Sequence, residues 1–531
     1  MKPTNTFFAM AALLLAGVSA TVSCTKDDNQ PAEGKTYHMT ITASKGGESA
    51  KALTVDGTTI SATWAEGETV TVYNVTKGAA LEGTLAAQSS GASTTLKGSL
   101  TGTIEAGDEL KLKFCSPDYA MQAGTLEYIA AHCDYAEATV TVASVDGGEI
   151  TASGEAAFVN KQAIVKFTLK NTRDHAISAS ALSVSVGGTI YAAVPASASS
   201  VLFVALPGIS GQAVTLSAKV DDQWYNKTQT GVTFVNGQYY TVAAKLEQKG
   251  MLPGTFSVAS GNRVHFSQGN LQATYNIYDE IWSWAFAANQ YDCVGNAVGN
   301  TSVTSSAPYI NTDDIEDSGD HENGTVDLFG WVGASSNWDS VAMYGITSSG
   351  ATNNHNGYGN VAGELLKADW GTLAISNGGN AANSGWYTCS NADWQHLFES
   401  RGTAMRYARA TVCGKHGVIL FPDAYTHPNG VATIAIPNGG YFTDNEYGTK
   451  DWAKMEAAGA VFLPAAGIRG RDDRGRSVLA YVDRLGVYWS SSSSSLDVSK
   501  ACLLYVPESL SFRELGRWFG HSVRLVRPAA E

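Results

Sequence analysis

The chain has 531 residues, 55 of them glycine, with 16% charged residues and a formal net charge of −14. That length exceeds one ordinary domain and implies three or four, and abundant glycine at low charge density favours strand-rich sandwiches over helix bundles. The acidic balance excludes nucleic acid as a partner, because phosphate binding needs a concentrated basic surface.

The N-terminus, "MKPTNTFFAMAALLLAGVSATVSC", has a basic start at Lys2, an apolar run from Phe7 to Val18, and small residues before Cys24. The run is too short to span a bilayer and reads as a cleaved signal over residues 1–23. Cys24 after Thr21-Val22-Ser23 resembles a bacterial lipobox, which implies a diacylated Cys24 as the first mature residue. The following "TKDDNQ" resembles the lysine-plus-acidic export signal of surface lipoproteins in Bacteroidetes. The expectation is an outer-membrane, cell-surface protein that meets the membrane only through its lipid, with residues 24–36 as a polar tether. Six cysteines follow Cys24, and Cys115 with Cys133 could staple a loop in such an oxidising location.

Alternating strand patterns then begin. Apolar residues recur with period two at Tyr37, Met39, Ile41 and Ala43, at Leu110, Leu112 and Phe114, at Val165, Phe167 and Leu169, and at Tyr240, Val242, Ala244 and Leu246. This predicts antiparallel sheets packed face to face, as two β-sandwiches over 37–155 and 156–247. The segments "ALTVDGTTISATWAEGETVTVYN", "GEAAFVNKQAIVKFTLKN" and "GVTFVNGQYYTVAAKL" resemble the fimbrillin-like proteins of Bacteroidetes. The resemblance implies two transthyretin-like β-sandwiches, a place in surface pili, and other pilus subunits as partners by donor-strand exchange. Fimbrillins are matured by a cut after an arginine near the first strand. Here no arginine precedes Arg173, and Lys51 is the basic residue closest to the corresponding place.

The stretch "LEQKGMLPGTF" (246–256) marks a boundary, after which arginine and tryptophan become frequent. Two helices are predicted beyond it. "SNADWQHLFESR" carries a Ser390-x-x-Asp393 cap and an apolar stripe at Trp394, Leu397 and Phe398. "TKDWAKMEAAGAVFLPAAG" places Trp452 and Met455 on one face, ends near Gly459 and turns into a strand. The chain closes on "GHSVRLVR", where Val523 and Leu525 alternate with Arg524. The mixture indicates an α+β domain over 255–531. "VFLPAAGIR", "GVYWSSS", "ACLLYV" and "GHSVRLVR" resemble the Fibrobacter-type major paralogous domain, a relative of C-type-lectin-like folds. The fold class expected is therefore mainly β: two transthyretin-like β-sandwiches followed by an α+β C-type-lectin-like head.

Six consecutive serines, Ser490–Ser495, follow Tyr488-Trp489. Within a lectin-like head they fall between strands that must pair, so they read as part of a folded surface rather than as a linker. Serine suits an adaptable hydrogen-bonding contact. The candidate ligand-binding residues are Ser490, Ser492, Ser494, Asp497, Tyr505, Phe512, Arg513, Arg517 and Trp518, together with Trp338 and Asp339 in "GASSNWDS" as a stacking and hydrogen-bonding set. Asp313, Asp317 and Asp320 lie in an acidic loop whose hard oxygens could hold Ca²⁺. The spacing is not that of an EF-hand and favours a solvated loop. No other cofactor is expected.

Enzyme signatures are missing: there is no G-x-S-x-G, H-E-x-x-H or G-x-x-x-x-G-K-[ST]. Cys413 and Cys502 can be compared with the cysteine pair of lectin-fold oxidases, but neither sits in such a motif. The sequence thus reads as a non-enzymatic surface lipoprotein, an adhesin or a tip or anchor subunit of a pilus. Its head would bind a glycan or protein ligand on host or neighbouring cells. The alternative is a glycan-capturing lipoprotein of a polysaccharide-uptake system, outside any pilus.

Overall fold

The computed structural model describes residues 34–45, 54–56, 59–61, 63–114, 117–276, 281–293, 325–331, 369–471, 477–497, 499–506, 510–517 and 519–529. The chain is mainly β, as expected. Cys24, Lys51 and Cys115 lie outside the described residues.

Residues 35–160 form a nine-stranded sheet. Its first strand, Lys35–Lys45, turns Tyr37, Met39, Ile41 and Ala43 inward on strict alternation. That strand pairs antiparallel with Ser93–Gly102 along ten residue pairs. On its other edge it runs parallel to Glu149–Ser153 and Ala156–Asn160. These pairings join the two ends of the sheet around one apolar core that includes Trp64, Leu96, Leu110 and Val140. The sheet therefore reaches past residue 155 to Asn160. Lys45 closes the strand in a buried position, its Nζ 3.1 Å from Glu68 and 3.2 Å from the centroid of the Phe114 ring. Burial pulls its pKa below the ordinary lysine value, against the pull of Asp134 and Glu68.

A second, eight-stranded sheet is built from residues 163–248 with one short strand, Met121–Gln122, lent from upstream. Val165, Phe167 and Leu169 point into its core, as their alternation required. The helix Leu126–His132 lies against its flank through Ile129.

From Phe256 onward the chain mixes small sheets and short helices. Its opening strand pair, Phe256–Ala259 and Asn262–Phe266, meets the last strand, Leu525–Pro528, in register Val264 to Pro528 and Phe266 to Val526. The two ends of this region thus form a common frame. Both predicted helices are present. Ser390 and Asp393 make a complete capping box at the start of Asn391–Gln395, and Trp394, Leu397 and Phe398 are buried. The helix Thr449–Ala457 buries Trp452 and Met455 and leads to the strand Val461–Pro464.

The boundary stretch is not a loose connection. Gly250 to Phe256 are all buried. Trp224, 1% exposed in the second sheet, packs with Leu252, Phe256 and Val264. Asn226 holds Met251 through both its backbone groups, at 2.8 and 3.3 Å. Across the same junction Ser183 donates to the Ala457 carbonyl at 2.6 Å, and Lys219 pairs with Glu456 at 2.9 Å. Gly459 ends the helix in the left-handed region, φ 95°. A Cβ there would lie 2.7 Å from Ile190 Cδ1 and 2.8 Å from Gly254 Cα, so only glycine lets the two parts approach. Burial opposes the Lys219 charge, but the Glu456 carboxylate outweighs it and holds the ammonium above its ordinary pKa.

Removing one member of a buried ion pair strands the other's charge, at a cost of about 3 kcal/mol. Glu456→Ala is therefore expected to lower the unfolding midpoint of the second sheet and the C-terminal region together, followed by tryptophan fluorescence in urea. The double variant Lys219→Met, Glu456→Leu is expected to recover most of that loss.

Candidate functional site

The serine run is built into a strand. Gly486–Ser493 pairs with Lys500–Val506, from Gly486 opposite Val506 to Trp489 opposite Leu503. The register then shifts, and Ser493 stands opposite Ala501. Four residues on one strand face two on the other, a bulge whose extra backbone groups need partners. Serine hydroxyls supply them. Ser490 donates to the Cys502 carbonyl at 2.7 Å and accepts from the Ser492 amide at 3.2 Å. Ser492 Oγ accepts from the Asn391 amide at 2.9 Å and so steadies the capped helix. Ser494 donates to Glu514 at 2.7 Å while accepting from the Leu496 and Asp497 amides at 3.1 and 3.0 Å. A short hydroxyl side chain that folds back on nearby backbone does this where longer residues cannot.

The sequence reading placed these serines on a contact surface, and the structure puts Ser490 and Ser494 at 0% exposure with their hydroxyls engaged. Ser492 is half-buried. Asp497 accepts from the Ser499 hydroxyl at 2.6 Å and its amide at 3.0 Å and pairs with Lys500 at 3.2 Å. The Ser499 hydroxyl, then its amide, then Lys500 hold that carboxyl down at about 2. Arg517 is buried, donates to the Lys500 carbonyl at 3.1 Å and lies over Trp331 at 4.5 Å. These groups organise the bulge and its turn. Trp489 is core, its indole donating to the Phe329 carbonyl at 2.7 Å.

Two candidates, Tyr505 and Arg513, share one face at the sheet's edge. The strand Ser511–Gly516 is the outer strand of a five-stranded sheet and carries Phe512 and Arg513. Arg513 is exposed and its guanidinium lies 3.9 Å from the centroid of the half-buried Tyr505 ring. Phe512 is half-buried on the sheet's other face, against the cluster around Trp394. The pair Tyr505–Arg513 thus forms a small aromatic and cationic ledge on a sheet edge. Trp338, Asp339, Trp518, Asp313, Asp317 and Asp320 lie outside the described residues. Among the described residues no cluster of three metal-ligating side chains occurs.

Beneath the run, Trp331, Trp370 and Trp489 line a small cavity with Asp369, Thr388 and Ser491. Asp369 accepts from the Gly371 amide at 2.7 Å, the Thr388 amide at 3.1 Å and the Thr388 hydroxyl at 3.3 Å. Burial nevertheless prevails over these donors and pushes its pKa up to about 6. No motif announced this acid; "KADWGT" carries no spacing that marks it. The terminal histidine, His521, is also buried, against Trp489 at 4.5 Å, and burial holds it neutral with a pKa of about 3. Arg524, read as the polar member of an alternating strand, is fully buried and donates to Gln290 at 2.8 Å. It lies in the irregular stretch just before the last strand, Leu525–Pro528, so alternation could not place it. Burial pushes the Cys413 and Cys502 thiols up, the opposite of what a reactive thiolate needs.

Between the ordinary carboxylate pKa of 3.8 and about 6, the folded chain keeps a proton on Asp369 that the unfolded chain has lost. The contribution to stability therefore falls as pH rises through that window. Urea midpoints from pH 4 to 7 are expected to decline more steeply for the wild type than for Asp369→Asn; parallel curves would show that Asp369 ionises normally.

No family model matches the chain, and no curated protein matches it. Among solved structures it is similar to a putative cell adhesion protein from Bacteroides uniformis, 12% identical, over 41% of this chain and 94% of that one, with a TM-score of 0.23. It is also similar to a fimbrial assembly protein from Parabacteroides distasonis, 9% identical, over 47% and 99%, TM-score 0.24. A shaft pilin from Lactobacillus rhamnosus is 11% identical over 41% and 100%, TM-score 0.19. Likenesses of this size do not bear on ligand or assembly.

Proposed function

We propose that the chain is a cell-surface adhesion protein of the pilus-associated kind, anchored through a lipid on Cys24. The two N-terminal sheets act as its stalk, and the C-terminal region is a lectin-like head that binds a glycan or protein ligand. The observation that carries this reading is the Tyr505–Arg513 ledge on an outer strand. An exposed arginine over an aromatic ring, on the outermost of the described strands of its sheet, is a contact chemistry that needs no catalysis. The buried, hydrogen-bonded junction at Gly250–Phe256 fits a stalk that holds the C-terminal region in one position.

Donor-strand exchange has a physical place in the same reading. Lys35–Lys45 lies between Ser93–Gly102 and two parallel neighbours. A chain cut near Lys51 could release it and leave an apolar groove lined by the partners of Met39 and Ile41. A strand from another subunit with the same alternation would fill that groove.

The test uses the chain lacking its first 24 residues, applied to a glycan array and to host and bacterial cells, beside Arg513→Ala and Tyr505→Ala. Selective binding to cells that weakens about tenfold in either folded variant is the expected result. Binding unchanged in both variants would remove the ledge from the function, and absence of binding by the wild type would leave a purely structural subunit. Saturable sugar binding without any polymers that resist mild denaturation would favour glycan capture outside a pilus.

A further inference from the structure

The frame joining the two ends of the head encloses a cleft of about 470 Å³, away from the serine bulge in sequence and lined by both terminal strands. Such a volume lies within the range of small-ligand sites. Its walls come from the turn between Phe256–Ala259 and Asn262–Phe266, from Pro528 on the last strand, and from Tyr387 and Asp393. All these elements are fixed. Ser257 stands opposite Arg263, Tyr387 opposite Val526, and the Ala529 amide donates to the Arg263 carbonyl at 2.9 Å.

The side chains differ in kind from those of the bulge. Arg263 and Asn262 are exposed, Tyr387 is half-buried, and none of their side chains has a hydrogen-bond or ion-pair partner among the described residues. Asp393 is held by its capping role, one oxygen accepting from the Ser390 amide at 2.8 Å, which leaves the other to accept from a ligand. Burial keeps the Tyr387 phenol protonated far above neutral pH, so its hydroxyl remains a donor. Val258 and Pro528 add apolar surface beside the ring.

We propose that this cleft binds a neutral saccharide. One cation, Arg263, and one anion, Asp393, balance each other, so the site has no net attraction for a charged group. A guanidinium donor and a carboxylate acceptor suit adjacent sugar hydroxyls, each of which both donates and accepts. The Tyr387 ring with Val258 and Pro528 provides an apolar face for the C–H side of a pyranose. The inference rests on the reading of the C-terminal region as the ligand-binding part, but it assigns the sugar to this cleft and not to the Tyr505–Arg513 ledge.

The experiment is saturation-transfer NMR on the chain lacking its first 24 residues, with methyl α-mannoside, methyl β-galactoside and methyl β-N-acetylglucosaminide as probes. Wild type is compared with Arg263→Ala, Asp393→Asn and Arg513→Ala, and thermal unfolding checks that each variant is folded. Transfer to at least one glycoside is expected, with affinity about tenfold lower in Arg263→Ala and Asp393→Asn and unchanged in Arg513→Ala. Loss in Arg513→Ala alone would overturn the cleft and leave the ledge as the sugar site. No transfer from any of the three glycosides would also overturn it, while cell binding by the same protein would still uphold the head as an adhesive part. Should Asp393→Asn unfold the short helix, Arg263→Ala and Tyr387→Phe carry the test, because neither touches the cap.

Discussion

One buried chain of polar contacts ties the molecule together. Lys219 on the second sheet pairs with Glu456 at 2.9 Å, and the other Glu456 oxygen accepts from Gln290 at 3.0 Å. The Gln290 carbonyl oxygen accepts from Arg524 at 2.8 Å and from the Phe462 amide at 2.7 Å. Four side chains from distant parts of the sequence thus bond to one another in a place that water barely reaches. A buried charge without such partners would be strongly unfavourable, so this network fixes one arrangement of sheet, helix and terminal strand. The apolar contacts of Trp224 and Ile190 and the close approach at Gly459 depend on that arrangement.

The same constraint explains how surface and interior divide in the C-terminal region. Aromatic and basic residues look like a contact surface when they cluster in sequence, yet Trp489, Arg517 and the hydroxyls of Ser490 and Ser494 are turned to internal tasks. The serines are what a bulge requires: compact groups that replace missing ladder partners. Among the described residues, what remains for a ligand is the rim, where Arg513 stacks on Tyr505, and the cleft framed by the first and last strands of the C-terminal region.

Much of the fold was legible in the sequence where the signal is local. Period-two alternation placed Tyr37, Met39, Ile41 and Ala43 in a core, and the Ser390–Asp393 pair announced a helix that the structure begins with that very cap. The helix at Thr449–Ala457 followed from Trp452 and Met455 with Gly459 beyond them. What could not be read depends on contacts far apart in the chain. Gln290 and Glu456 are 166 residues apart, and no periodicity links them. Arg524 looked outward because alternation assumes a strand with one covered face, whereas it lies just before the last strand and is buried by a contact with Gln290 from far along the chain. The cleft escaped for the same reason: Arg263 and Asp393 carry no shared motif and meet only when the terminal strands pair.

The central claim is that the second sheet and the C-terminal region form a single rigid body through a buried junction. Hydrogen exchange of the intact chain measures this most directly, read at the amides of Gly250, Leu252 and Gln268, which donate to Trp224, Phe266 and Gly250 carbonyls at 3.0, 2.9 and 2.7 Å. Protection as strong as that of Phe167 and Val184 in the middle of the second sheet is the expected result. Exchange as fast as that of an exposed loop would contradict it, and would make the boundary a hinge on which the C-terminal region moves independently of the second sheet.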